Sequence, residues 1–520
     1  MARNAPVSAV LVLAAVVAAA ARAATDPYDG PAAPAPQTPI DRLVFGRLKQ
    51  LGIQPANLCS DAVFLRRAYL DVIGTLPTAE EARAFLSDRD PNKRRALVDR
   101  LLERDEFADY WAMKWSDLLR VKAEFPINLW PNAAQAYHRW IRESIRENKP
   151  YDRFVREMLT ESGSNFRVPP VNFYRAVQGR EPQAIAQAVA LTFMGMRADG
   201  WSKERLAGVA GFFSRIGYKA TGEWKEEIVL FDPAKPVSPA VFPDGTPARL
   251  APDQDPREAF ADWLLDPGNP WLARAVVNRV WSWLLGRGIV HEPDDIRPDN
   301  PPSHPDLLDR LQADLVAWRW DLKRLYREIL HSNTYQLSSI PRTEDPRGAA
   351  LFAFYPVRRL DAEVLIDALC QVTGTTESYS SAIPEPFTFV PRDHRSIALE
   401  DGSITSPFLE MFGRPPRDTG LESERNNRPT AAQRLHLLNS SHVQRKIEQG
   451  QGLRAAMQSG RTPRDSVAAL YLAILSRPPT EEELRIAGAY AQAAGPAARR
   501  QVAVDLAWAL INSAEFLYRH

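Results

Sequence analysis

Asp105-Glu106-Phe107-Ala108-Asp109-Tyr110-Trp111-Ala112-Met113-Lys114-Trp115-Ser116-Asp117-Leu118 is the stretch whose reading decides the fold class. Phe107, Trp111, Trp115 and Leu118 follow one another at spacings of four, four and three, so one face of a helix carries two tryptophans and belongs to a core. The same periodicity extends outward from about Ile40 to Gly217. Asp61 is placed to cap a helix that Gly74 ends, and Thr78 with Glu81 forms a capping box for the next. Around Lys225–Pro243 the period changes. Ile228–Phe231 and Val237–Phe242 are short apolar runs separated by prolines, and they predict a small sheet. The polar, Pro-rich stretch from Pro243 to Pro256 reads as a connection. Beyond it Val276, Val277, Val280, Trp281 and Leu284 form one helical stripe, and Leu307, Leu308, Leu311, Leu315 and Trp318 another. Residues 374–405 are loop-like. The expected fold is therefore mainly α, with helical domains at 40–243 and 257–520, a 244–256 linker, and the small β element between the two domains.

The 520-residue length suits two or three domains, and 45% hydrophobic with 25% charged residues is ordinary globular usage. A net charge of +1 provides no global basic field to hold nucleic acid or an anionic membrane surface. Arg3, the apolar stretch Val7–Ala21 and the small-x-small Ala21-Arg22-Ala23 predict a signal peptide at 1–23, with cleavage after Ala23. About 15 mostly Ala residues are short for a span of roughly 20, so no stable membrane span is expected after cleavage. Loss of Arg3 and Arg22 would leave 63 basic against 64 acidic residues. Residues 24–39 read as a Pro/Ala-rich tether. Cys59 and Cys370 either pair in an oxidising compartment or act as separate buried thiols. The chain also echoes itself. Tyr69-Leu70 precedes Pro77-Thr78-Ala79-Glu80-Glu81 as Tyr471-Leu472 precedes Pro479-Thr480-Glu481-Glu482-Glu483, and Asp105-Glu106-Phe107 has its counterpart in Ala514-Glu515-Phe516.

Phe64-Leu65-Arg66-Arg67-Ala68-Tyr69-Leu70-Asp71, with Gly74, Leu76-Pro77-Thr78 and Glu81, resembles the opening of the planctomycete secreted cytochrome-like domain. Asp255-Pro256-Arg257-Glu258, Asn278-Arg279-Val280-Trp281, Gly286-Arg287-Gly288, Asn300-Pro301-Pro302-Ser303-His304-Pro305 and Ser332-Asn333-Thr334-Tyr335 resemble its usual C-terminal companion domain. Phe412-Gly413-Arg414-Pro415-Pro416-Arg417 and His436-Leu437-Leu438-Asn439-Ser440 continue that likeness. The resemblance implies a periplasmic or secreted protein whose two domains have no known biochemical function. Members are often encoded beside secreted proteins of a second uncharacterised family, which implies an extracytoplasmic protein partner. Many members attach c-type haem through CxxCH, between an apolar helix and a Trp with a double Phe. Here Leu191–Arg197 leads to Trp201 and Phe212-Phe213 with no Cys or His between. Covalent attachment needs two thiols, so a haemless member is expected, with no cofactor.

Two polar clusters carry the candidate chemistry. Asp294, Asp295, Arg297 and Asp299, followed by His304, could offer oxygen and imidazole ligands to Ca²⁺ or a transition metal, with Asp294, Asp295 and Asp299 as the metal candidates. The spacing matches neither an EF-hand nor a zinc motif. Ser303-His304-Pro305-Asp306 also reads as a helix start capped by Ser303. The second cluster is Arg414, Arg417, Glu422, Glu424, Arg425 and Arg428, ahead of a Thr430–Gln433 capping box and a helix carrying His436 and Asn439. Its charges either bind an acidic ligand or satisfy one another at a domain contact. The readings that follow are an exported binding or scaffolding component of an extracytoplasmic assembly, or a secreted hydrolase or lyase acting on a polysaccharide through the 291–306 carboxylates or the 414–436 group.

Overall fold

A computed structural model describes residues 27–30, 33–495 and 498–520; the expected signal peptide lies outside them. Helices of eight residues or more are numbered here. The N-terminal part holds α1 (Pro39–Gln50), α2 (Asp61–Val72), α3 (Ala79–Ser87), α4 (Lys93–Leu102), α5 (Asp105–Leu118), α6 (Pro131–Arg146), α7 (Tyr151–Thr160), α8 (Pro182–Met194) and α9 (Lys203–Ala210). A small antiparallel sheet joins them, in which β3 (Glu227–Phe231) lies between β1 (Gly163–Ser164), ahead of α8, and β2 (Ile216–Ala220). The C-terminal part holds α10 (Pro256–Leu265), α11 (Pro270–Leu285), α12 (Pro305–Ala317), α13 (Leu322–His331), α14 (Ala362–Thr373), α15 (Ala431–Asn439), α16 (Ser441–Gln449), α17 (Gln451–Gln458), α18 (Pro463–Leu475), α19 (Glu481–Ala494) and α20 (Arg499–Ile511). β4 (Arg358–Arg359) pairs with β5 (Tyr518–Arg519). The protein is mainly α, and no described helix is long and apolar enough to cross a membrane.

The α5 stripe behaves as its spacing requires: Phe107, Trp111, Trp115 and Leu118 are all buried. Trp111 and Trp115 each meet Trp283 of α11 at 5.5 Å, the first tilted and the second edge-on, while Trp115 also packs on Tyr151 and Phe154, so the stripe joins the C-terminal part to its own. The apolar core is accordingly one cluster running from Ile40 to Phe516.

The 64–71 stretch binds the parts together. Arg66 donates to the carbonyls of Ile474 and Phe516, and Arg67 to those of Tyr335, Leu337 and His520. Asp71 accepts from the hydroxyls of Tyr335 and Tyr355 and pairs with Arg519 at 2.9 Å. A buried guanidinium needs several acceptors to offset its desolvation, and backbone carbonyls of the other part supply them.

The sequence echo is a recurring clamp. Arg104 pairs with Glu81 and Glu106 at 2.9 and 2.6 Å beneath the Tyr69 ring; Arg477 pairs with Glu483 and Glu515 at 2.8 and 2.6 Å beneath Tyr471. Both capping boxes form. The turn after each Tyr helix needs a left-handed residue, Gly74 at φ 61° and Ser476 at φ 62°. Only glycine fits at 74, where a Cβ would lie 2.5 Å from the Tyr110 ring.

Three local expectations are corrected. Val237–Phe242 is not a strand, although Val241 bridges Pro247, because Pro236, Pro239 and Pro243 cannot donate to a ladder. The sheet instead begins earlier, at β1 and β2. Helix α2 is capped by Ser60, with Asp61 inside its first turn. Helix α12 has His304 at its cap, because the Ser303 hydroxyl is drawn to the Ile289 carbonyl.

Candidate functional site

The two candidate clusters meet, since Asp294 accepts a hydrogen bond from the Glu422 backbone N–H at 2.7 Å. They meet inside the protein. Asp294 is fully buried and forms a 2.9 Å ion pair with Arg279, itself 2% exposed. Asp295 and Asp299 point elsewhere and share the exposed Arg297 at 3.1 and 3.5 Å. The three aspartates therefore form no common donor set, and among the described residues no group of three or more His, Cys, Asp or Glu is placed to hold a metal. His304 is buried beside the Phe352 ring, and burial followed by the nearby Arg47 pushes its imidazole down to about 4. A histidine so placed stays neutral under ordinary conditions.

The arginines of the second cluster find carboxylates far from them in the chain. Arg417 pairs with Asp117 of α5 at 2.9 Å; Arg414 lies 3.5 Å from Glu363 at the start of α14. Arg425 bridges Asp117 at 2.6 Å, Glu363 at 2.7 Å and Asp361 at 3.7 Å. Asp361 is also held by Lys114 and Arg519, each at 3.1 Å. Burial opposes the charge on Asp361, but Lys114, Arg519 and Arg425 outweigh it and hold the carboxyl well below the usual range. Asp117 is lowered in the same way by Arg425 and Arg417. Burial pushes Arg414 down to about 10. Glu422 and Glu424 do not pair with these arginines. Glu422 accepts from the Trp283 indole at 3.0 Å and Glu424 from the Thr419 N–H at 2.7 Å, and burial raises both carboxyls.

His436 meets another side chain of the C-terminal part. Its Nε2 meets His442 Nδ1 at 3.3 Å, and His442 Nε2 meets Glu377 at 2.8 Å. Glu377 also takes Lys446 at 3.0 Å, and Lys446 lies 3.4 Å from the Cys370 sulfur. Burial, with His442 beside it, lowers His436. Cys370 and Cys59 are both free thiols.

This chain ends at an open feature that sequence reading missed. A polar cleft of about 410 Å³ lies between the first clamp, contributing Thr75, Glu81, Arg104 and Glu106, and the C-terminal segment contributing Asp367, Cys370, Glu377, Tyr379 and Arg395. Its size is that of a small-molecule site. Asp367 accepts the N–H groups of Ser396 and Ile397 at 2.8 and 3.1 Å and lies 3.6 Å from Arg395. Burial nevertheless dominates those contacts and pushes its carboxyl up to about 6. The single available signal was Asp367, Cys370 and Gln371 on one face of α14, a spacing that core and cleft positions share.

The segment after α8, where the resemblance would put a CxxCH motif, is covered by the other part. The Ile296 N–H donates to the Gly195 carbonyl at 2.9 Å, and a Cβ at Gly195 would strike Ile296 and the Pro293 carbonyl. Arg197 pairs with Glu292 at 3.0 Å.

Residues 39–204 match the family described as PSCyt2, protein of unknown function (DUF1549), and residues 256–491 match PSD1, protein of unknown function (DUF1553). No curated protein and no solved structure matches the chain.

Proposed function

We propose that this chain, which matches PSCyt2 over residues 39–204 and PSD1 over residues 256–491, is an exported binding or scaffolding component of an extracytoplasmic assembly. One observation carries this reading: Arg414, Arg417 and Arg425 are consumed by Asp117, Asp361 and Glu363 in a buried seam. Acid–base or metal chemistry requires such groups to face a substrate, and these face each other. The 293–296 stretch packed over Gly195, and a 191–213 segment without Cys or His, support a protein without covalent haem. The test is native mass analysis of the chain taken from the extracytoplasmic fraction. Stoichiometric co-elution with a second protein supports the proposal, and a lone monomer there overturns it.

A second reading, a secreted hydrolase or lyase acting on a polysaccharide, draws support from the polar cleft alone. Asp367 lines this cleft with its carboxyl largely buried and pushed up to about 6, a value that suits proton transfer near neutral pH. Its test is turnover of polysaccharides that disappears with Asp367→Asn while folding is retained; unchanged turnover in that variant removes it.

A further inference from the structure

Helices α16 to α20 enclose one groove of about 1680 Å³, whose lining shares no residue with the polar cleft. Leu453, Met457, Leu470, Ile486, Tyr490 and Trp508 give it apolar walls. A helix in a folded chain ordinarily buries an apolar stripe. Alone among the numbered helices, α19 buries no residue: its Ile486 and Tyr490 stand 56% and 49% exposed, and both line the groove.

Size, shape and charge select among occupants. The volume exceeds the roughly 300–1,000 Å³ of a small-molecule site. A helix about 10 Å across that rises about 1.5 Å per residue fills about 120 Å³ per residue, so the groove takes about 14 residues. That is the length of α19 itself. Ala487, Gly488 and Ala491 line one wall, and such small residues let the axis of a second helix come close. An acyl chain has no need of either feature. Arg454, Arg461, Arg499 and Arg500 also line the groove; all four are exposed, and none has a carboxylate at ion-pair distance among the described residues. Of the lining carboxylates, Glu483 is held by Arg477 of the second clamp. Glu448 accepts from the Gln444 amide, and Asp505 from the Tyr490 hydroxyl and the Gln501 amide. Four unpaired arginines therefore stand against two carboxylates that lack a cation, and the balance favours an acidic occupant.

Building on the scaffold reading, we propose that this groove seats an amphipathic helix of the protein partner, apolar along the face that enters and acidic along its flanks. The mode is that of a helix laid in a groove, with anchors three and four residues apart.

The experiment is a fluorescence-anisotropy titration of the chain in its expected exported form, from Ala24, with two labelled peptides of about 14 residues. One carries leucines at helical spacing with glutamates between them, and the other has lysines in place of the glutamates. The Leu/Glu peptide should bind at about micromolar affinity, and the Leu/Lys peptide about tenfold or more weaker. Ile486→Ser with Tyr490→Ser should weaken the Leu/Glu peptide about tenfold or more, and Arg499→Glu with Arg500→Glu about tenfold. Both variants should melt with the wild type, since the replaced side chains are exposed and acidic residues suit the N-terminal turn of α20. A Leu/Glu peptide that does not bind, equal binding of the two peptides, or a variant that binds as the wild type does overturns the proposal. Binding of a fluorescent fatty acid without binding of the peptide overturns it in favour of an acyl chain. The scaffold reading fails separately. A lone monomer in native mass analysis removes that reading whatever the peptides do, whereas a second protein that co-elutes equally with wild type and with Ile486→Ser, Tyr490→Ser removes the groove and leaves the scaffold.

Discussion

Arg425→Met removes the cation that joins α5, α14 and the 414–428 segment. The side chain is replaced by one of similar length, so the main loss is electrostatic. Arg425 holds Asp117 at 2.6 Å, Glu363 at 2.7 Å and Asp361 at 3.7 Å, and Asp361 and Glu363 are 2% exposed or less. Removing one partner of a buried pair costs about 3–5 kcal/mol; here Asp117, Glu363 and Asp361 each lose one cation while keeping Arg417, Arg414, and Lys114 with Arg519, respectively. Melting entropy of about 2.1 cal/mol/K per residue gives roughly 1 kcal/mol/K for a shared core of this size, so the melting temperature should fall by about 3–5 °C at pH 7. The loss should depend on pH. In the wild type the depressed Asp361 and Asp117 carboxyls contribute stability that is full above the unfolded carboxylate range and lost as pH falls through their folded values. In the variant the same carboxyls take up protons at higher pH, which relieves the repulsion. The gap should therefore be widest at pH 7 and narrow towards about pH 4. Differential scanning calorimetry of both proteins at the two pH values is the assay. Melting within about 1 °C of wild type at pH 7, or a gap equally wide at pH 4, would refute the reasoning.

The clamps should differ in strength, because Arg477 is 4% exposed and Arg104 is 34% exposed. Arg477→Met should cost about 2–4 kcal/mol and Arg104→Met about 1 kcal/mol by denaturant titration, and the reverse order would count against the burial argument. Asp294→Asn with Asp295→Asn should lower the melting temperature equally with and without Ca²⁺, because Asp294 serves Arg279 rather than a metal; a loss confined to Ca²⁺-containing buffer would restore the metal site. Asp367 has a raised folded value, so its stabilising contribution is full below the unfolded carboxyl value and is lost as pH rises through about 6, an effect of about 3 kcal/mol. Asp367→Asn should flatten that decline between pH 4 and 7, and an unchanged slope would contradict the burial account. Purified protein, even co-expressed with a cytochrome maturation system, should show no Soret band after denaturation.

Local features were legible because short spacings determine them. The Phe107–Leu118 stripe, the Thr78–Glu81 and Thr430–Gln433 boxes, and the Tyr69 and Tyr471 units all formed. The partners of Arg414, Arg417 and Arg425 were not legible. Arg425 and Asp117 are 308 residues apart, and every Asp on a helix face looks alike until the chain has folded. The cleft was hidden for the same reason, since one wall comes from residues 75–106 and the other from 367–395. Prolines misled the strand reading of Val237–Phe242, where apolar alternation survived but ladder donors did not.

The central claim is that Asp294, Arg414, Arg417 and Arg425 are sealed in a seam that the two domains build together, around one core. Separate expression of residues 27–255 and 256–520 tests it most directly, with near-UV circular dichroism followed through a thermal melt. The account predicts that neither fragment melts cooperatively alone, because Arg66, Arg67 and Asp71 lose their C-terminal partners and Arg414, Arg417 and Arg425 lose Asp117. A fragment that melts cooperatively near the temperature of the whole chain would contradict it.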